Sequence, residues 1–276
     1  MIDLHCHTRA SDGENTPAEL VAKALQKGLS AIAVTDHDTT AGIPAALAAA
    51  KGTNLEVVPG IEFSTYHMGK EVHILTFFLP LDNRRLNSFL ADLTHQREER
   101  GRKMIERLNA IGYELTYAEA AAIADGAPIM SPHIARALWA KGVLKNFEEA
   151  SAFYQQHLVL GTDVYIPHAV DLRDVLEITH DIKCPIAIAH PHKIGDDDVV
   201  ADLIKMGVQG MEVYYPETNA SVLEHYRQWA KREGMFLSGG SDYHGIYSTR
   251  ELGSANVPDE VLEGIRGVRD GLGEGY

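Results

Sequence analysis

Apolar residues in the first 80 positions alternate between short continuous runs and amphipathic stretches. The run IDLHCH from Ile2 reads as a strand, and LSAIAVTDHD from Leu29 as a second, apolar enough to be buried on both faces. Between them TPAELVAKALQKG has helical spacing. Thr16 suits the N-cap, Pro17 the first helical position and Gly28 the stop. A helix is expected from Thr40 to Lys51, followed by strands in LEVVPGIEFST and EVHILTFFL.

The pattern then changes. RRLNSFLADLTHQREERGRKMIERLNAIG, TYAEAAAIADG, SPHIARALWAKG and FEEASAFYQQHL all carry helical spacing, with no strand between them. Residues 81–164 therefore read as a helical insertion that caps a main body made of 1–80 and 165–276. Strand and helix alternate again in DLRDVLEITHD, CPIAIAHPH, DDDVVADLIKMG, GMEVYYP, NASVLEHYRQWAKREG and MFLSGGSDYHG. The Gly-rich tail after Ser254 reads as a weak cap. Some seven strands joined by helices predict an α/β fold, either a parallel barrel or an open doubly wound sheet.

Composition narrows the function. With 45% hydrophobic residues, the chain has enough apolar surface for a sizeable core. A net charge of −14 disfavours a broad nucleic-acid surface, which needs clustered Lys and Arg. A small anionic substrate remains compatible with that charge if bound metals offset it. Cys6 and Cys184 lack metal-site spacing and read as free thiols of a reducing, cytoplasmic setting. No signal peptide or membrane-length apolar run is evident. Neither GxGxxG nor a P-loop motif occurs.

The chemistry lies in where His, Asp and Glu fall. His5 and His7 close the first strand, His37 the second and Glu62 the third. His73 lies in the fourth, and His190, Asp242 and His244 end later ones. The carboxyl ends of parallel strands form one active face, so these scattered residues would converge there. His5/His7 and Asp242/His244 are i, i+2 pairs, whose side chains point the same way on a strand. Asp12 follows on a loop close enough to fold back. An isolated pair of this kind is commonly structural, but structural histidines have no reason to gather at strand ends. Imidazole and carboxylate suit Zn²⁺, Mn²⁺ or Fe²⁺, with Mg²⁺ a further option. Nine such residues suit two or three ions rather than one. Such a centre attracts phosphate, activates water and clamps the attacking and leaving oxygens.

At these residues the sequence resembles the PHP (polymerase and histidinol phosphatase) family. DLHCHTRASDG, TDHDT, GIEFS, EVHIL, AHP and GSDYH match its motifs in order, from Ile2 to about Gly253. The chain looks most like the TrpH and 3′,5′-nucleotide bisphosphate phosphatase members. The resemblance implies a distorted seven-stranded TIM-like (βα) barrel with two or three metals and a metal-bridging hydroxide as nucleophile. It places His5, His7, Glu62 and Asp242 on one ion, and Asp12, His37 and His244 near a second. Glu62, His73 and His190 would hold a third.

Substrate contacts follow the resemblance less closely. Relatives often read AHPGRY where this chain has Ala189-His190-Pro191-His192-Lys193, so Lys193 or His192 is expected to take the anion. Thr162 and Asp163 stand where relatives are basic. His133 and Arg136, i, i+3 on one helix face, are expected to reach the substrate from the insertion. Arg9 is a candidate for the pocket edge, and Tyr165 reads as core or a base-stacking ring. His67, His95, His157, His168, His180 and His225 read as solvated or structural. The expected activity is hydrolysis of a phosphate monoester on a small nucleotide, a 3′,5′-bisphosphate or a mononucleotide. The alternatives are 5′→3′ exonuclease action on short RNA or DNA, a histidinol-phosphate-type phosphatase, and a non-enzymatic metal-stabilised module. No obligate protein partner is evident.

Overall fold

The computed structural model describes residues 1–168, 170–216 and 218–274; Ala169, Glu217, Gly275 and Tyr276 lie outside it. Seven strands form one curled sheet in chain order. They are β1 (Ile2–Cys6), β2 (Ala31–Val34), β3 (Glu56–His67), β4 (Lys70–Phe77), β5 (Ile186–Ile188), β6 (Gly210–Tyr214) and β7 (Phe236–Gly239). Just beyond them the edges meet: the His7 N–H donates to Tyr243 O at 3.0 Å, and the Tyr243 N–H to His5 O at 3.3 Å. The sheet is thereby drawn round into a distorted barrel.

One expectation fails here. The strands are not all parallel, because β4 runs antiparallel to both β3 and β5. The cause is the link between β3 and β4. Met68 and Gly69 take φ of +47° and +79°, a two-residue turn with both residues left-handed. Such a turn reverses the chain directly, whereas a parallel pair needs a crossover of roughly a dozen residues.

Helices cover the outside. The helix Pro17–Gln26 begins in a capping box between Thr16 and Glu19, and the next spans Ile43–Ala50. Between β4 and β5 the described residues form five helices and no strand; Leu172–Asp181 leads into β5, and the other four, Arg84–Ala110, Tyr117–Ala124, Ser131–Ala140 and Phe147–His157, pack together. They bury an apolar cluster of their own around Met104, Leu108, Ile134, Leu138 and Phe153.

The tail also departs from expectation. Val257 pairs with Ile2, and the helix Glu260–Glu274 buries Val261, Leu262 and Ile265 against one end of the barrel. Gly264, Gly267 and Gly271 disguised this helix in the sequence. A Cβ at any of them would meet nothing, so they sit on its open side. Among the described residues, no helix is long and apolar enough to cross a membrane.

Candidate metal centre

Glu62 lies at the middle of the site and is fully buried. Its Oε2 is 3.1 Å from His5 Nε2, 3.2 Å from His7 Nε2 and 3.3 Å from His37 Nδ1. Its Oε1 is 2.8 Å from His73 Nδ1 and 3.0 Å from His190 Nε2. Five imidazoles thus converge on one carboxylate. Asp242 Oδ1 adds a second junction, 3.3 Å from His7 Nε2 and 3.4 Å from His244 Nδ1. Asp12 Oδ1 lies 3.2 Å from His244 Nε2.

The elements explain the convergence, though not all as expected. His5 is in β1, and His7 and His37 follow β1 and β2. His190, Asp242 and His244 follow β5 and β7. Glu62 and His73 are not at strand ends. Glu62 lies inside the long strand β3, and His73 inside β4, opposite Ser64. Because β4 is reversed, its first half lies beside this end of the barrel. Two of the assembled residues hold left-handed backbone, His190 at φ +28° and Asp242 at φ +51°. Such strain is found at functional sites as well as in turns and helix caps.

Burial opposes the charge of His5, yet Glu62, Glu212 and Asp242 outweigh it and hold its pKa well above the ordinary value. His73 is treated alike: burial opposes its charge, but Glu62 and Glu71 push its pKa up to about 10. His190 goes the other way, down to about 3, through burial and the nearby Lys193. Burial works against the Asp242 carboxylate, and Lys193, His5 and Arg250 overcome it, keeping the pKa well below the usual range.

Such density of polar groups is costly unless each is paired. Yet His5 Nε2, both ring nitrogens of His7, Glu62 Oε2 and His190 Nδ1 are buried and make no hydrogen bond. Divalent ions fit those orphaned atoms, since nitrogen and carboxylate oxygen are their donors. Among the described residues, three sets of donor atoms lie within 4.8 Å of one another: His7/Asp12/His37/His244, His5/His7/Glu62/Asp242 and His37/Glu62/His73. The second is the set implied for one ion. In the third His37 stands where His190 was expected, although His190 touches the same Glu62. Around these sets, Glu212 accepts from His5 Nδ1 at 3.0 Å and from the His190 N–H at 2.7 Å. Asp36 accepts from Thr8 and Ser11, fixing the loop that carries Asp12.

A family model for the PHP domain matches residues 3–179. The chain belongs to the PHP family. It is 30% identical to the 5′-3′ exoribonuclease Rnm of Salmonella typhimurium, over 95% of this chain and 92% of that one. It is also 30% identical to the 3′,5′-nucleoside bisphosphate phosphatase of Chromobacterium violaceum, over 88% of this chain and 87% of that one. The crystal structure of a protein from Bifidobacterium adolescentis, assigned as a metal-dependent phosphoesterase, superposes with a TM-score of 0.87 at 28% identity, covering 97% and 96% of the two chains.

Above the donor cluster of this PHP chain opens a cleft of about 590 Å³, bounded on one side by Asp12, Glu62, Asp242 and their histidines. Across it stand residues of the helices Ser131–Ala140 and Phe147–His157, among them Arg136, Trp139, Phe147 and Tyr154. Three cations line it. Lys193 Nζ is 3.0 Å from Asp242 Oδ2, Arg250 Nη2 is 3.0 Å from the same oxygen, and the Arg136 guanidinium lies 3.6 Å over the Tyr247 ring.

Not every expected substrate residue is in the cleft lining. His133 is buried, and its Nδ1 accepts from the Met130 N–H at 3.1 Å, capping its own helix. His192 turns away to Thr218 Oγ1 at 3.1 Å and packs on Tyr215. Arg9 reaches out to Glu14 O and the exposed Asp125. Tyr165 is a buried ring under Arg100. Of the remaining histidines, His67 and His157 pair with Asp202 and Asp163, and His95, His180 and His225 are exposed. His168 is enclosed beside Glu71.

Sequence reasoning missed Arg250, Tyr215, Glu212 and Glu71. Arg250 carried a signal, six residues after His244 in the loop GIYSTR. Glu212 carried another, a lone acid inside the apolar strand GMEVYYP.

Proposed function

We propose that this enzyme, a metal-dependent phosphoesterase, hydrolyses a phosphate monoester on a small nucleotide, either a 3′,5′-nucleotide bisphosphate or a mononucleotide. The observation that carries this reading is the pairing of the Glu62-centred cluster with a cleft that has a cationic edge and an aromatic wall.

His5, His7, Asp12, His37, Glu62, His73, His190, Asp242 and His244 would hold two or three divalent ions, Mn²⁺, Fe²⁺ or Zn²⁺, with Mg²⁺ a further option. When bound, such ions lower the pKa of water and neutralise phosphate charge. The chain's own groups do the rest. Lys193, Arg250 and Arg136 offer cationic donors around the same cleft, enough for more than one phosphate group. Arg is suited to a bidentate grip and Lys to a point charge. Trp139, Phe147 and Tyr154 offer rings for a base, because any base can stack on an aromatic face. The insertion would thus cap the substrate. A phosphate and ribose alone would leave much of a 590 Å³ cleft unfilled. The two thiols are buried and free, which fits a reducing cytoplasmic setting.

A second reading, 5′→3′ exonuclease action on short RNA, is favoured by the match to an exoribonuclease along 95% of the chain. One experiment separates the two. Mn²⁺-loaded protein is given 3′-phosphoadenosine 5′-phosphate, a mononucleotide and a 5′-phosphorylated RNA oligomer, and the products are resolved. Inorganic phosphate from the first two is the expected result. Mononucleotide release from the RNA with no phosphate from the nucleotides would establish the second reading instead. No product from any of them would refute both.

A further inference from the structure

We propose that the helical insertion sets the orientation of the metal-centre residue His37 through Arg97 and Ser64, so that Arg97 and Ser64 are positioning residues for one ion. The inference rests on the metal-centre reading but not on the nucleotide reading.

Arg97 lies on the helix Arg84–Ala110 and is turned inward onto Asp38, just after β2, and Ser64 in β3, with only 6% of its surface exposed. Its Nε donates to Asp38 Oδ2 at 2.6 Å, and its Nη2 donates to Ser64 Oγ at 2.7 Å. Asp38 Oδ1 accepts from the Ser64 N–H at 2.9 Å, so Arg97, Asp38 and Ser64 close a ring of hydrogen bonds. Ser64 Oγ is in turn 3.1 Å from His37 Nδ1.

Neighbouring residues tie this ring to the cluster. Asp38 directly follows His37 and holds left-handed backbone at φ +52°, and its N–H donates to Glu62 O at 3.1 Å. Ser64 is two residues from Glu62 on β3 and opposite His73 on β4. A buried guanidinium is an obligate donor with a fixed fork. It makes Ser64 Oγ an acceptor on that side, and His37 Nδ1 faces both that oxygen and Glu62 Oε2, at 3.1 and 3.3 Å. With Nδ1 held between two oxygens, one of them a carboxylate, it is best placed as the donor, and Nε2 is then the nitrogen that would meet an ion. A ligating histidine is ordinarily held in this way, by a partner on its other nitrogen, and loss of that partner typically weakens metal affinity about 10- to 100-fold. Here the partner is anchored from outside the barrel. The insertion is then part of the metal site's support as well as a wall of the cleft.

The test is Mn²⁺ binding, read by calorimetry and by elemental analysis after gel filtration, on wild type, Ser64→Ala, Arg97→Lys and the double variant. Ser64→Ala removes one hydroxyl and keeps the fold testable if Arg97 variants unfold. We expect Ser64→Ala to weaken one Mn²⁺ site by about tenfold or more while the other sites keep their affinity. Arg97→Lys should weaken the same site, and the double variant should be no worse than the more affected single one, because both act through His37. A Ser64→Ala protein with wild-type Mn²⁺ stoichiometry and affinity would overturn the proposal. So would uniform weakening of every site, which marks a general loss of structure.

Discussion

Asp242 divides its two oxygens between two tasks. Oδ2 accepts from Tyr215 OH at 2.7 Å and from Lys193 Nζ and Arg250 Nη2 at 3.0 Å each, while Oδ1 faces His5, His7 and His244. Asp242→Asn keeps the shape but loses the charge that both sides need. It should lose bound metal and lower the phosphatase rate more than about 100-fold, measured by metal content and phosphate release; an unchanged rate would remove Asp242 from the site. His133 is a different case at the same scale. Burial, followed by the Arg136 charge, lowers its pKa to about 4, against an ordinary 6.5. The folded protein therefore keeps it neutral. As pH falls below 6.5 the unfolded chain takes up a proton that the native state refuses, so this stability is complete above pH 6.5 and declines towards pH 4. His133→Gln keeps an acceptor for the helix cap but does not titrate. Its melting temperature should fall less steeply than that of the wild type between those pH values. Parallel slopes would show that His133 is not held neutral.

At the scale of elements, the hairpin of β3 and β4 decides how the site is assembled. The sequence pattern located both strands and singled out Glu62 and His73 on them, but it took each strand to be parallel. Strand periodicity does not encode direction, and the two-residue turn at Met68 and Gly69 carries no Asn-Gly or Asp-Gly signal. His5, His7, His37 and His190 were legible because the argument from parallel strand ends holds for β1, β2 and β5. Glu62 was read as closing the third strand and His73 as lying in the fourth; that both sit well inside long strands had to come from the fold. Lys193 and Arg136 lie in the cleft lining, whereas His133 and His192 do not, because a side chain's direction on a short helix depends on its neighbours. The closure between β1 and β7 is another feature that no local pattern reveals. A Cβ on Gly240 would come within 2.4 Å of His5 Cβ and of its backbone N. Gly240→Ala should therefore push β7 from β1, cost about 1–3 kcal/mol in chemical denaturation and displace His5 from the metal cluster. Wild-type stability and metal content in that variant would show that the closure tolerates a shift.

For the molecule as a whole, charge is distributed unevenly. The formal charge of −14 disfavours an extended phosphate backbone, while Lys193, Arg136 and Arg250 stand at the cleft beside Asp12, Glu62, Glu71 and Asp242, whose charge bound ions would offset. The helices between β4 and β5 add rings to that cleft. Trp139→Ala should raise KM for a nucleotide by about tenfold with little change in kcat, and leave glycerol phosphate hydrolysis unaffected. Equal losses on both substrates would mean that Trp139 supports structure rather than a base. The most direct test of the central claim uses 3′-phosphoadenosine 5′-phosphate and protein stripped by a chelator. Phosphate release should vanish on stripping and return with Mn²⁺ in the wild type, but not in Glu62→Gln, where the shared carboxylate is gone. Release at the wild-type rate from the stripped protein, or from Glu62→Gln, would contradict the account.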